Sequence, residues 1–272
     1  MNWRKSLPFK QETSTFPAKM VSEQISQSGT LYFISDLHFH INRTAQDDEK
    51  IRRLRQLFKK VREERATLYI VGDLFDFWFE YKYVVPRQHF DLLRLLGDLV
   101  EDGIEVHYLA GNHDYWIDTF LEEQIGMIIH PEPIELLHND TRFWICHGDG
   151  ILPDDKGYRL MKKVLRHPLS ITLFRLIHPD LGFKIAELVS STSRKYNSYD
   201  VERNRKLLEE VYHEYIQPIF REGYDYAILG HLHRPHIHTE NGQTFVNLGD
   251  WLHFYSFARF DGSTLHLNYW TA

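Results

Sequence analysis

Five times along this chain a short apolar run stops at a few polar residues. Residues 31–35 run into Asp36-Leu37-His38, and Thr67–Val71 runs into Gly72-Asp73. Residues 104–110 lead to Gly111-Asn112-His113-Asp114, Thr141–Cys146 to His147-Gly148-Asp149, and Tyr226–Leu229 to Gly230-His231-Leu232-His233. Apolar runs of this length, bounded by turn formers, read as buried strands. Between the first three lie two helical periodicities. One is Ile51, Leu54, Leu57, Phe58 and Val61; the other is Leu92, Leu93, Leu95, Leu96 and Leu99, stopping near Gly103. Such alternation predicts parallel βαβ units, and in sheets of that kind the carboxyl ends of the strands converge on a crevice where ligands bind. Gly72, Gly111, Gly148 and Gly230 suit tight turns and close approach of backbone to ligand.

The pattern then changes. Residues 134–137 and Thr141–Cys146 read as a hairpin turning at Asn139-Asp140. From Asp154 to about Phe220 the chain reads as mainly helical, broken at Pro168 and Pro179. Residues 245–248, 254–260 and 264–269 read as strands, the last two joined by a turn at Asp261-Gly262. The fold class is therefore α/β, two sheets packed face to face with helices outside and a helical insertion over about residues 154–200. The 272 residues suit one domain from residue 30 to 272, behind a loose leader of residues 1–29. The leader has no continuous apolar stretch of the secretory kind, and no run of about 18 apolar residues occurs to span a membrane. A single cysteine, Cys146, excludes an internal disulfide and a cysteine-rich metal site, and suits a reducing cytoplasm.

Carboxylate, imidazole and amide oxygen are ligands suited to Mn²⁺, Fe²⁺ or Zn²⁺. Two cations about 3.5–4 Å apart can share a carboxylate and clamp the attacking and leaving oxygens of a phosphoryl group. The shared ligand must be anionic and bidentate, a role open to Asp73 and closed to a histidine. Taken singly, each polar residue would ordinarily be a cap, turn or surface group. Five such segments, each at a strand end, point instead to one site. His40, His89, His107, His130 and His138 lie outside the segments and read as non-ligands. His236 and His238 alternate as strand residues, and His253 could approach the site from the segment after residues 247–251.

The order of these segments resembles the calcineurin-like metallophosphoesterase superfamily, over residues 31 to about 250. The resemblance implies a two-sheet sandwich flanked by helices and two divalent ions, Mn²⁺ foremost. By it, Asp36, His38, Asp73 and His233 hold one ion, and Asp73, Asn112, His147 and His231 the other. His113 stands beside them to protonate the leaving oxygen or steady the transition state, and Asp114 orients His113.

The insertion narrows the expectation. Residues 151–196 carry nine Lys or Arg against four Asp or Glu, so the rest of a chain of formal charge −6 carries −11. An acidic protein of this kind gives no reason to expect nucleic-acid binding. Leu169, Ile171, Leu173, Phe174, Leu176, Ile177, Leu181, Phe183, Ile185, Leu188 and Val189 interleave with Lys162, Lys163, Arg166, Arg175, Lys184, Arg194 and Lys195. This is either a self-contained helical subdomain or a basic, greasy lid able to hold acyl chains and touch a membrane surface. Gly72–Trp78, Asp154–Tyr158, Gly230–Pro235 and Leu248–Trp251 resemble the UDP-2,3-diacylglucosamine hydrolases of lipid A synthesis, where an insertion at the same place binds lipid. That resemblance implies hydrolysis of a nucleotide-linked glycolipid to UMP and 2,3-diacylglucosamine 1-phosphate, on the cytoplasmic face of the inner membrane. Asn112, His113, Asp155, Tyr158, Ser193 and Arg194 become candidates for substrate contact. Several members of that family have Arg where this chain has His113. The competing readings are a phosphoesterase for another nucleotide or soluble diester, and a metal-free scaffold of the same fold.

Overall fold

The computed structural model describes residues 24–151, 156–196 and 201–271. In one sheet β2 (Leu31–Ile34), β3 (Thr67–Val71), β4 (Val106–Leu109) and β5 (Ile128–His130) run parallel. There β11 (Ser256–Phe260) pairs antiparallel with β2, and β12 (Leu265–Tyr269) closes the order β12-β11-β2-β3-β4-β5. The other sheet contains β1 (Gln24–Gln27), β6 (Ile134–His138), β7 (Thr141–Cys146), β8 (Tyr226–Leu229), β9 (His236–Glu240) and β10 (Gln243–Asn247). Its order is β1-β6-β7-β8-β10-β9.

Strand periodicity sorts the side chains into layers. Leu31 and Phe33 of β2 pack between the sheets with Tyr69, Val71, Phe143, Ile145 and Val246. Tyr32 and Ile34, one residue out of step, face the helices outside. A sheet covered on both faces needs strands apolar throughout, which is why β2 and β3 read as unbroken apolar runs. The outer cover is α1 (Ala45–Glu63) and α2 (Phe90–Glu101), whose periodic leucines and Phe58 are buried. Thr44 starts α1 through a capping box: its hydroxyl accepts from the Asp47 N–H while the Asp47 carboxylate accepts from the Thr44 N–H. On the far face Leu208 and Val211 of α6 (Val201–Val211) and Phe220 of α7 (Gln217–Arg221) pack against β7, β8 and β10.

The insertion is helical, as expected: α3 (Lys156–Leu165), α4 (Pro168–Arg175) and α5 (Pro179–Tyr196). Both prolines that broke the pattern open helices, where a missing N–H costs nothing. Phe174 and Phe183 pack against Phe77, Phe79 and Trp116 of the sandwich, a contact built almost wholly of rings. No residue of α4 is buried, and Leu160, Leu173, Leu176 and Leu188 are more than half exposed.

The loose leader needs correcting at its end. Gln24–Gln27 is an edge strand, parallel to β6, and Ile25 packs on the layer between the sheets. One apolar residue among three polar ones leaves no sequence signal; the strand forms because β6 offers an unpaired edge.

Candidate metal centre

The loops after β2, β3, β4, β7 and β8 meet at one edge of the sandwich and are tied by main-chain hydrogen bonds. Asp36 N donates to Gly72 O at 3.2 Å, His38 N to Asp73 O at 3.0 Å, and Gly230 N to His147 O at 3.0 Å. Packing is close enough to require glycine. A Cβ on Gly72, itself at φ 82°, would stand 2.2 Å from His147 Nδ1, and one on Gly111 would stand 2.1 Å from Asp73 Oδ1. Among the described residues nine besides glycine have positive φ, and five are Asp36, His38, Asp73, His231 and His233. Backbone strain of this kind persists where surrounding structure holds it, typically at functional sites.

Each carboxylate divides its two oxygens. Asp36 Oδ2 is fixed by Ser35 Oγ at 2.6 Å and His231 N at 2.9 Å. Asp36 Oδ1 has no hydrogen-bond partner and faces His233 Nε2 at 3.5 Å and His38 Nε2 at 3.7 Å. Asp73 Oδ1 accepts from His113 N at 3.0 Å. Asp73 Oδ2 lies 3.6 Å from His38 Nε2 and 3.3 Å from His147 Nε2, between two groups of donors. Those groups are Asp36, His38 and His233 on one side, and Asp73, His147 and His231 on the other, each with donor atoms within 4.8 Å of one another. Asn112 Oδ1 stands 3.1 Å from His147 Nε2. His147 donates Nδ1–H to the Val71 carbonyl at 2.9 Å, which leaves the Nε2 lone pair for a cation.

The electrostatics describe a place shaped for positive charge. Burial opposes the charged form of His38, yet Asp36 and Asp76 outweigh it and push the imidazole up to about 10. Asp73 does the same for His147 against burial, again to about 10. Burial works against the Asp73 carboxylate too, but His147, His113 and His38 hold it well below its ordinary value. His231 moves the other way, down to about 4, through burial and the charge on His147. With the unpartnered Asp36 Oδ1 and His38 Nε2, the donor set fits divalent metal ions.

Seven of the residues singled out as ligands are thus brought together: Asp36, His38, Asp73, Asn112, His147, His231 and His233. His113 adjoins them, its ring edge-on to His38 with centroids 4.8 Å apart. Its orientation has a different source from the one expected. His113 Nδ1 bonds the Asp76 carbonyl at 2.8 Å, whereas Asp114 accepts from Gly111 N, Phe75 N and the Tyr108 hydroxyl. Asp114 therefore fixes the loop carrying His113 rather than its ring, because its carboxylate is turned inward and wholly buried.

Tyr158 likewise spends its hydroxyl on Asp149 at 2.8 Å, beside Lys162, fastening α3 to the fourth motif. Asp155 lies outside the described residues, as do the side chains of Ser193 and Arg194 on α5. His40 pairs with Asp47, His107 with His130, and His138 with the Gly29 carbonyl, while His89 is buried against Phe75. His253 reaches Asp250 at 3.1 Å. Asp76, Asp250 and Lys50, all buried around the site, received no role from sequence. The two aspartates stand in segments that had been singled out; Lys50 sits in a charged helical stretch and carries no signal.

A cavity of about 440 Å³ lies between the insertion and the sandwich, with Tyr115, Trp116, Ile117, Ile171, Asp118 and Arg166 in its lining. Arg166 lies over the Tyr115 ring at 3.3 Å, and Arg175 pairs with Asp118 at 3.1 Å. The cavity thus has apolar walls and a rim of mixed charge, with Glu80, Asp118 and Glu122 beside Arg166 and Arg175, and it begins one residue beyond Asp114. Among the described residues no helix is long and apolar enough to cross a membrane.

Comparison with known proteins agrees with this geometry. Residues 29–235 match the calcineurin-like phosphoesterase family. A UDP-2,3-diacylglucosamine hydrolase of Porphyromonas gingivalis is 31% identical over 256 residues, covering 87% of this chain and 96% of that one. The enzyme of the same name from Neisseria meningitidis serogroup B is 31% identical over 233 residues, covering 85% and 94%. One from Haemophilus influenzae is 26% identical over 224 residues, covering 81% and 90%. With the strand-end donors, the two-sheet sandwich and the match over most of its length in accord, the chain belongs to the calcineurin-like phosphoesterase family of metal-dependent hydrolases.

Proposed function

We propose that this protein hydrolyses the diphosphate of UDP-2,3-diacylglucosamine to UMP and 2,3-diacylglucosamine 1-phosphate, with two divalent ions, Mn²⁺ foremost, in the nest described above. The observation that carries the reading is the nest of strand-end donors in a chain similar over 87% of its length to a UDP-2,3-diacylglucosamine hydrolase, with an apolar-walled cavity between insertion and sandwich that begins at Tyr115, two residues after His113. Asp36, His38, Asp73 and His233 would hold one ion, and Asp73, Asn112, His147 and His231 the other. The ions supply Lewis acidity and a lowered water pKa.

The chain's own residues do the rest. His113 gives its Nδ1–H to the Asp76 carbonyl, so Nε2 is the atom that exchanges a proton with the leaving sugar phosphate. The His113 main-chain N–H donates to Asp73 Oδ1 at 3.0 Å, which keeps His113 in register with the shared carboxylate. Ile171, Trp116 and Ile117 offer an acyl chain an apolar wall, and Arg166 an anionic head group a counter-charge. The exposed leucines of α3 to α5, interleaved with Lys and Arg, support peripheral contact with a membrane on the cytoplasmic side.

The decisive assay incubates Mn²⁺-loaded protein with UDP-2,3-diacylglucosamine and follows UMP, with EDTA as control. Metal-dependent UMP release well above the rate on an aryl phosphodiester is expected. Turnover of the aryl diester alone would reject the lipid substrate and leave the phosphoesterase chemistry standing.

A further inference from the structure

The two halves of the centre are backed differently. His38 turns Nε2 towards Asp36 and Asp73, and its Nδ1 faces Asp76 Oδ1 at 3.4 Å. His233 turns Nε2 towards Asp36 Oδ1, and its Nδ1 faces Asp250 Oδ2 at 3.5 Å. Both aspartates are buried. Asp250 is held by its own turn, Oδ1 accepting from Leu252 N at 3.1 Å, His253 N at 2.8 Å and Phe254 N at 3.2 Å. Lys50, with no exposed surface, donates Nζ to the His38 carbonyl at 2.9 Å and to Asp47 at 3.1 Å, and its charge also acts on Asp76 and Asp250. One buried cation thereby offsets a group of buried anions that would otherwise be costly. In the other half His147 leans on a neutral group, the Val71 carbonyl.

An imidazole backed by a carboxylate is a stronger donor and a better-oriented one than an imidazole backed by a carbonyl, and loss of such a partner typically weakens metal binding about 10–100-fold. We propose that Asp76 and Asp250 are positioning residues that make the Asp36–His38–His233 half the tighter of the two, so that it fills first. This rests on the two-metal reading and deepens it. Neither aspartate needs to touch an ion or substrate; each acts through the histidine in front of it.

The test is calorimetric titration of the metal-stripped full chain with Mn²⁺, for wild type, Asp250→Asn, Asp76→Asn and His147→Ala, with circular dichroism to establish that each is folded. Wild type is expected to take up two equivalents, the first at least about 10-fold tighter. Asp250→Asn and Asp76→Asn should each weaken the tight phase about 10–100-fold and leave the weak phase alone. His147→Ala should abolish the weak phase and keep the tight one. A folded Asp250→Asn that retains the tight phase, or weakens both phases alike, overturns the inference. So does loss of the tight phase in His147→Ala, which stays decisive even if the aspartate variants fail to fold. Wild type taking up no Mn²⁺ would remove the two-metal reading itself, whereas two equivalents with unchanged variants would remove this inference alone.

Discussion

Asp73 Oδ2 lies between His38 and His147, which belong to opposite halves of the centre, and few side chains could replace it. Asp73→Ala is expected to reduce turnover at least about 10²-fold, the scale for losing one group that organises charge at a reacting centre. Steady-state rates of the Mn²⁺-loaded variant check this; wild-type activity would end the shared-ligand assignment. Asp114 makes a separate claim. Burial pushes its carboxyl up, and Tyr108 is one of three donors holding it. Tyr108→Phe should cost about 1–3 kcal/mol of stability, the penalty for a buried acceptor losing a donor. Urea unfolding of metal-free protein measures it, and an unchanged midpoint would mean that water replaces the hydroxyl. At this scale the residues that gather at the centre were legible because each follows an apolar run. The role of Asp114 was not, because a sequence does not tell whether a carboxylate turns inward or towards its neighbour.

Elements were legible in proportion to how much apolar surface they bury locally. The spacing in α1 and α2 marks helices whose faces are set by the sheet beneath. The edge strand β1 was missed because its pairing, not its composition, makes it a strand. The insertion was legible as helices, but its seat was not, since only the packing of Phe174 and Phe183 on Phe77, Phe79 and Trp116 shows where it sits. That seat leaves the cavity beside Ile171. Ile171→Trp should narrow it and raise KM for the diacylated substrate about 10-fold or more, the loss of roughly two buried methylenes of contact. The aryl diester should be turned over unchanged; equal losses on both substrates would place the acyl chains elsewhere.

The molecule as a whole carries an acid sensitivity separate from the metal donors. His89 is buried between Phe75 and Trp78, and its Nε2 has no hydrogen-bond partner. Burial pushes this imidazole down to about 4 from 6.5. Between those values the unfolded chain binds the extra proton, so stability falls as pH drops through the window. The contribution lost between pH 7 and pH 5 is about 2 kcal/mol. His89→Phe should show a correspondingly shallower decline than wild type in urea unfolding at the two pH values; parallel declines would mean that His89 is protonated in the folded state. The sandwich as a fold followed from the alternation of runs and turns, whereas the pairing of six strands in each sheet is a tertiary outcome that no single run encodes.

Five donor residues keep a left-handed backbone, each at an expense of about 1 kcal/mol or more relative to glycine. That sum is comparable with the whole net stability of an ordinary domain. Evolutionary drift therefore has a direction built into it. A descendant relieved of catalysis would gain robustness by admitting glycine or asparagine at positions 36, 38, 73, 231 and 233, while Asn112 and His147, free of that penalty, would decay only at the neutral rate. Retention of all five in a living lineage is thus a signature of continuing selection for the chemistry.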